Sequence, residues 1–355
     1  MEIKTIPPVL NQPYYPTLNG LRGVAILIVV IGHLTIGTPF GNYFKGNAGV
    51  GIFYVLSGFL ITTLLHKENI LNGRVSFKNF YIRRALRILP VSYLFLIVLL
   101  ILNVLLKLSI SNVSFLTSFL YLRNLPIHTN NADWYNGHFY TLAVEEQFYL
   151  IFPVIIVFCF KHYIKIVCLI IVSIKVLGFL VYNNVGWFFS VKIIHNLSLL
   201  VVLLFGNDTI SILIGTILST LLFKGILPTD KVKSGFLFTL VLFVAAIIFR
   251  NSQLIENEFI TTLIFDLLIA TVIYLCFDES TLLSKILKNK VLMQIGTLSY
   301  SIYIWQQLFT QYQPWGHYFR YADSAWFNVP VLFIVSYLSY YLFESRFLKL
   351  KKKFN

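Results

Sequence analysis

Charge is what this sequence has least of. Charged residues make up 12% of its 355 positions, where a soluble domain carries about 25%. So few polar side chains cannot cover a globule in water, which excludes a soluble protein. Acids are scarcer still, with 14 Asp and Glu against 28 Lys and Arg and a net charge of +14. No basic helix or aromatic platform accompanies that positive charge, which argues against a nucleic-acid partner. The three cysteines, Cys159, Cys168 and Cys276, sit in apolar segments without ligand spacing, so neither a disulfide framework nor a metal site is expected. The first apolar run is long, begins with Arg22 and lacks a small-residue cleavage pattern. It is therefore not a cleavable signal peptide. No internal repeat and no appended soluble domain is visible.

What remains is hydrophobicity: 57% of residues are apolar and the mean hydropathy is +0.78. Apolar runs repeatedly reach the ~20 residues that span a bilayer as helix. Eleven stand out, beginning near residues 18, 50, 90, 140, 164, 188, 209, 235, 261, 291 and 329, while Phe115 to Leu122 is too brief. Lys67, Arg74, Lys78, Arg83, Arg84 and Arg87 mark the segment after the second run as cytoplasmic, and ESRFLKLKKKFN does the same for the carboxyl end. Both ends inside require an even number of crossings, and one run between 164 and 227 is expected not to cross separately. The expectation is an all-α, polytopic integral membrane bundle of about ten helices in one domain over 1–355. Residues 1–16 form an exposed lead-in and 344–355 a basic cytoplasmic tail.

Within the apolar runs a few polar residues are out of place. Arg22 and His33 lie eleven positions apart on the first helix, hence on one face and about 16 Å apart along the axis. With Arg22 at the interface, His33 falls near mid-membrane. Ionisable groups at that depth line cavities or relays, or are satisfied by a neighbouring helix. Arg84 and Arg87 are three apart, and Arg83 and Arg87 four apart, so they project together. They serve either as positive-inside anchors or, through the planar guanidinium fork, as a phosphate site. Glu145, Glu146 and Gln147 enter a membrane helix together, which exceeds what favouring a helix terminus requires. Lys175, His195 and Asp266 are further buried ionisable groups, expected to pair with neighbouring helices.

Together these stretches resemble the acyltransferase-3 family of polytopic membrane enzymes that acylate sugars. LNGLRGVAILIVVIGH resembles its first helix, with Arg22 and His33 at the family spacing. GVGIFYVLSGFLIT resembles the second-helix motif around Ser57 and Gly58, and FYIRRALRILP the third-helix pattern with Arg84 and Arg87. HFYTLAVEEQFYLIFP resembles the acidic motif with Glu145, and IGTLSYSIYIWQ and YYLFESRFL the closing signatures around Ser299, Tyr300 and Glu344. The resemblance runs from residue 15 to 347. Three positions depart from it: Asn19 stands for the usual Asp, Tyr140 for Trp and Gln306 for His. No proton-transfer role is assigned to Gln306. The extracytoplasmic hydrolase-like domain of many relatives is not expected here.

The resemblance implies transfer of an acyl group, typically acetyl from acetyl-CoA, to a hydroxyl of a bacterial surface or secreted carbohydrate or its lipid-linked precursor. Acetyl-CoA would be a co-substrate, with no permanently bound cofactor, and the enzyme would sit multi-pass in the bacterial inner membrane. His33 would be the general base, with Arg22 or Glu145 orienting it or stabilising charge. Arg84 and Arg87 would hold the donor's phosphates, with Ser57 and Tyr54 beside them. Ser57, Tyr54 and Tyr300 are candidates to stabilise an oxyanion, and Ser299, Tyr300 and Glu344 would support the site. The rival reading is a secondary transporter or flippase, which also needs buried charge and a polar cavity, but the repeated halves common in transporters are missing.

Overall fold

A computed structural model gives the fold and describes residues 5–125, 131–183, 185–186, 191–228, 232–252 and 254–354, with the side chains of 131–133 and 207 also left undescribed. Among the described residues every regular element is helical. The long helices are α1 (Pro16–Leu34), α2 (Asn47–Asn72), α3 (Phe77–Leu106), α4 (Phe139–Phe158), α5 (Tyr163–Tyr182), α6 (Lys192–Leu204) and α7 (Asn207–Phe223). They are followed by α8 (Phe238–Asn251), α9 (Glu258–Leu275), α10 (Lys290–Trp305), α11 (Gln307–Thr310), α12 (Ala325–Leu338) and α13 (Ser345–Lys351). A π-helical turn, Ser339–Glu344, joins α12 to α13.

Seven helices are long and apolar enough to cross a membrane among the described residues, or eight if the bent pair is one span. That pair comprises α6 and α7, which meet at 49°. Both apolar runs lie in the 164–227 stretch, where one run was expected not to cross separately. α8, of 14 residues, and α10, of 16 residues continued by α11, are apolar but shorter. Phe115 to Leu122 does not span, being covered by a helix of 8 residues, Asn112–Phe119.

α1 and α2 are the centre of the bundle. Their most apolar windows are 61% and 67% buried, against 33% for α3 and 22% for α5. The outward residues of α3, among them Ile97, Leu100, Ile101, Val104 and Leu105, are all at least half exposed, as a lipid-facing surface requires. α2 packs along α7 and α1 along α10. Both contacts depend on glycine. A Cβ on Gly58 would lie 1.9 Å from the carbonyl oxygen of Ile212, and one on Gly215 would lie 2.0 Å from that of Val55. With no side chain at either position, backbones approach as closely as membrane helices allow. Asn19 Nδ2 donates to the Met293 carbonyl at 2.7 Å and to Thr297 Oγ1 at 3.2 Å, clamping α1 to α10. An ionised aspartate here would have no proton to give.

Three boundaries differ from expectation. Pro90 does not open the third helix; it lies inside α3, which starts at Phe77 behind the Ser76 cap. The basic run FYIRRALR interrupts hydropathy but not helicity, so Arg84 and Arg87 are helical residues of a 30-residue rod. The lead-in is not simply exposed: Leu10 is fully buried and accepts the Tyr15 hydroxyl at 2.7 Å. Nor is the basic tail free. α13 lies along α3, and Arg83 Nη1 donates to the Phe354 carbonyl at 2.7 Å. Amphipathic lysines cover apolar surface with their stems, so a basic end packs as readily as it dangles.

Candidate active site: two cavities sharing a wall

Two cavities open in the bundle. The first, of about 460 Å³, lies where α1 begins, α2 ends, α3 begins and α13 closes back. It gathers Arg22, Ser57, Arg84, Arg87, Glu145, Ser299, Tyr300 and Glu344 from six separate helical regions. These are eight of the ten positions singled out in the sequence. Ser57 Oγ donates to Glu145 Oε1 at 2.6 Å, Arg22 Nη2 to Ser299 Oγ at 3.2 Å, and Ser301 Oγ to Glu344 Oε2 at 2.6 Å. Tyr300 donates its hydroxyl to the Ile88 carbonyl at 2.7 Å, the carbonyl two residues before Pro90.

Of the three clustered arginines, only two are available to a ligand. Arg83 is consumed by Glu68 at 2.6 Å. Arg84 and Arg87 have no carboxylate within 4 Å among the described residues, and the Arg84 guanidinium lies 5.2 Å from the Tyr149 ring. Lys351 of α13 and Lys67 of α2 add two more cations to the lining. Lys67 holds the lead-in across the mouth, donating to the Gln12 carbonyl at 2.8 Å and to the Tyr15 hydroxyl at 2.9 Å. Lys351 and Lys67 were missed in the sequence because a lysine in a basic tail or at a helix end reads as a topology signal.

The second cavity, of about 380 Å³, lies at the opposite end of the bundle, where α1 ends and α2, α4, α7 and α9 begin. His33 and Tyr54 line it. Neither lines the first cavity, so His33 and Tyr54 lie apart from Arg22, Arg84, Arg87 and Glu145. His33 is also not at mid-helix: it is the next-to-last residue of the 19-residue α1. Arg22 sits one and a half turns inside the bundle instead of at its edge, which moves His33 towards the far face.

Neither Arg22 nor Glu145 orients His33. Gln306 does: its Oε1 lies 2.7 Å from His33 Nδ1. The amide is held that way round because Gln306 Nε2 donates to Gln307 Oε1 at 2.8 Å and Thr310 Oγ1 approaches Gln306 Oε1 at 3.4 Å. An amide oxygen only accepts, so in this orientation the proton belongs on His33 Nδ1, which is the arrangement a base acting through Nε2 requires. Trp134 packs edge-on against the imidazole at 5.4 Å and donates its indole NH to the Gln307 carbonyl at 2.9 Å. The position where relatives carry His is thus part of the site after all, as an acceptor.

Val50, Thr141 and Tyr303 line both cavities. They stand between a chamber rich in cations and the chamber that His33 lines. Of the other ionisable groups, Lys175 lies 3.9 Å over the Phe259 ring, and Asp266 accepts Ser211 Oγ at 2.6 Å. His195 is half-buried. No group of three or more metal-ligating side chains occurs among the described residues.

The profile described as an acyltransferase domain matches residues 15–344, nearly the whole chain. The chain belongs to the acyltransferase-3 family. O-acetyltransferase OatA of Staphylococcus aureus (strain NCTC 8325 / PS 47) is 29% identical over 330 residues, which cover 86% of this chain and 52% of that protein. A second protein of S. aureus (strain COL), SACOL0978, whose O-acetyltransferase assignment is provisional, is 32% identical over 319 residues, 82% of this chain and 50% of its own length. The chain therefore spans about half the length of these relatives. No solved structure matches it.

Proposed function

We propose that this membrane acyltransferase moves an acyl group, acetyl above all, from acyl-CoA in the first cavity to a carbohydrate hydroxyl in the second. The observation that carries the reading is the shared wall of Val50, Thr141 and Tyr303. It brings a chamber lined by Arg84, Arg87 and Lys351, suited to phosphates, next to the chamber that His33 lines. Arg84, Arg87 and Lys351 supply cations for the donor's phosphates. Arg22 and His33, eleven residues apart on α1, mark the two chambers about 16 Å apart. That distance suits an extended thioester arm.

His33 Nε2 takes the proton of the attacking hydroxyl, which bonds to the thioester carbonyl carbon as the carbonyl becomes an oxyanion. Collapse of that centre expels the coenzyme thiolate, which recovers the proton. Gln306 stabilises the imidazolium that forms between the two events. Tyr303 and Thr141, in the wall itself, present hydroxyls where the oxyanion would develop. In this reading the enzyme sits in the bacterial inner membrane with the first cavity open to the cytoplasm, where acyl-CoA is made; the basic residues Arg83, Arg84, Arg87 and Lys351 at that end support it. The test is stoichiometry: membranes carrying the protein should release one coenzyme thiol per acyl group recovered on carbohydrate. Movement of carbohydrate without consumption of acyl-CoA would favour a transporter instead.

A further inference from the structure

The second cavity has a chemical character of its own. Its lining includes Asp208, Glu258 and Asp266, and Arg250 is the only Lys or Arg among the described residues around it. Arg250 is already committed, with Nη2 2.7 Å from Glu258 Oε1. The first cavity is the reverse, with five cations against two carboxylates.

Two buried groups in the second cavity lack partners. Asp266 is fully buried in α9; Ser211 fixes its Oδ2 at 2.6 Å, while Oδ1 has no hydrogen-bond partner. His138 is 5% exposed, and neither of its ring nitrogens has one. A buried carboxylate oxygen without a donor is costly. Two such groups on one cavity, from two different helical regions, indicate that a ligand supplies what is missing. Tyr140 hydrogen-bonds Asp208 and holds that carboxyl in place at the same lining.

We infer that the second cavity recognises an uncharged or amino-bearing sugar, with Asp266 Oδ1 and His138 holding its hydroxyl or ammonium groups and the two acids without a cation, Asp208 and Asp266, excluding uronates and other anions. The inference rests on the acyl-transfer reading in treating this cavity as the acceptor site. A carboxylate accepts from two hydroxyls or from an ammonium and has no proton for an anion. An anionic sugar would face Asp208 and Asp266 with no unpaired cation to meet it.

The test is saturation-transfer NMR on the full-length protein in lipid nanodiscs, with the methyl glycosides of glucose, glucosamine and glucuronic acid as probes. The first two should receive saturation, and the glucuronide should be weaker by about tenfold or more, as unscreened like charges in a partly buried site dictate. Asp266→Asn should remove most of the transfer to the glucoside, and Ser211→Ala, which frees the carboxylate from its anchor, should weaken it in the same direction. Thermal unfolding of both variants certifies that they fold. A glucuronide that binds as well as the glucoside, glycosides indifferent to both variants, or no glycoside binding at all would each overturn the inference. Glycoside binding without acyl transfer would leave it standing and remove the acyl-transfer reading. Acyl transfer with the uronate as the better acceptor would do the opposite.

Discussion

His33 Nδ1 lies 2.7 Å from Gln306 Oε1, and Gln307 and Thr310 contact the same amide, so a proton on Nδ1 matches the network. The imidazole is therefore poised as a base by a neutral acceptor.

Gln306→Leu should lower kcat for acetyl transfer by about 10- to 100-fold, because a buried hydrogen bond to a developing charge contributes roughly 1.5–3 kcal/mol. The KM for acetyl-CoA should hardly change, since Gln306 is remote from the first cavity. Gln306→His should recover part of the rate. Steady-state transfer of labelled acetyl in membranes distinguishes the three proteins.

Arg84→Ala and Arg87→Ala should each raise the KM for acetyl-CoA by about tenfold or more, the size of one lost charge-assisted contact. Lysine at either position should restore only part of it, because a point charge does not replace a bidentate fork.

Arg83→Ala should behave differently from its neighbour. Its guanidinium is taken up by Glu68 and the Phe354 carbonyl. The variant should keep its KM for acetyl-CoA within about twofold and lose stability of order 1 kcal/mol, as a partly buried ion pair implies. A thermal unfolding scan in detergent beside the kinetic assay reads both.

Gly58→Val should destabilise the bundle by several kcal/mol or prevent insertion, because its Cβ would sit 1.9 Å from the Ile212 carbonyl oxygen in a helix that cannot move away. Gly73→Ala, at a positive φ of 68° with open space around it, should cost only about 1 kcal/mol. Comparing folded yield and unfolding temperature of the two variants checks the contrast.

Much of this was legible in the sequence, and the reasons differ by residue. Glu145 stood out because charge is rare in apolar runs, Arg84 and Arg87 as a clustered basic pair and Ser57 through the family resemblance, and the structure brings them to one cavity. The pairing of His33 with Arg22 misled, because a shared helical face says nothing of depth, and the two face different chambers. Gln306 was passed over because its chemistry was judged by the residue it replaces. Asp208 and Glu258 open α7 and α9, where an acid ordinarily complements the helix terminus. Only packing shows that both terminate on one cavity. The fold class followed from hydropathy, whereas the helix boundaries at Pro90 and in the tail did not, since the basic residues there mask continuous helix.

The most direct measurement is labelled acetyl transfer from acetyl-CoA to bacterial carbohydrate by membranes carrying the wild type or His33→Ala, with insertion and acetyl-CoA binding measured in parallel. Two cavities meeting at Val50, Thr141 and Tyr303 predict that the wild type labels carbohydrate, while the variant still binds acetyl-CoA but transfers at least about 100-fold less, as loss of a general base implies. A well-inserted His33→Ala protein that transfers acetyl at the wild-type rate would contradict it.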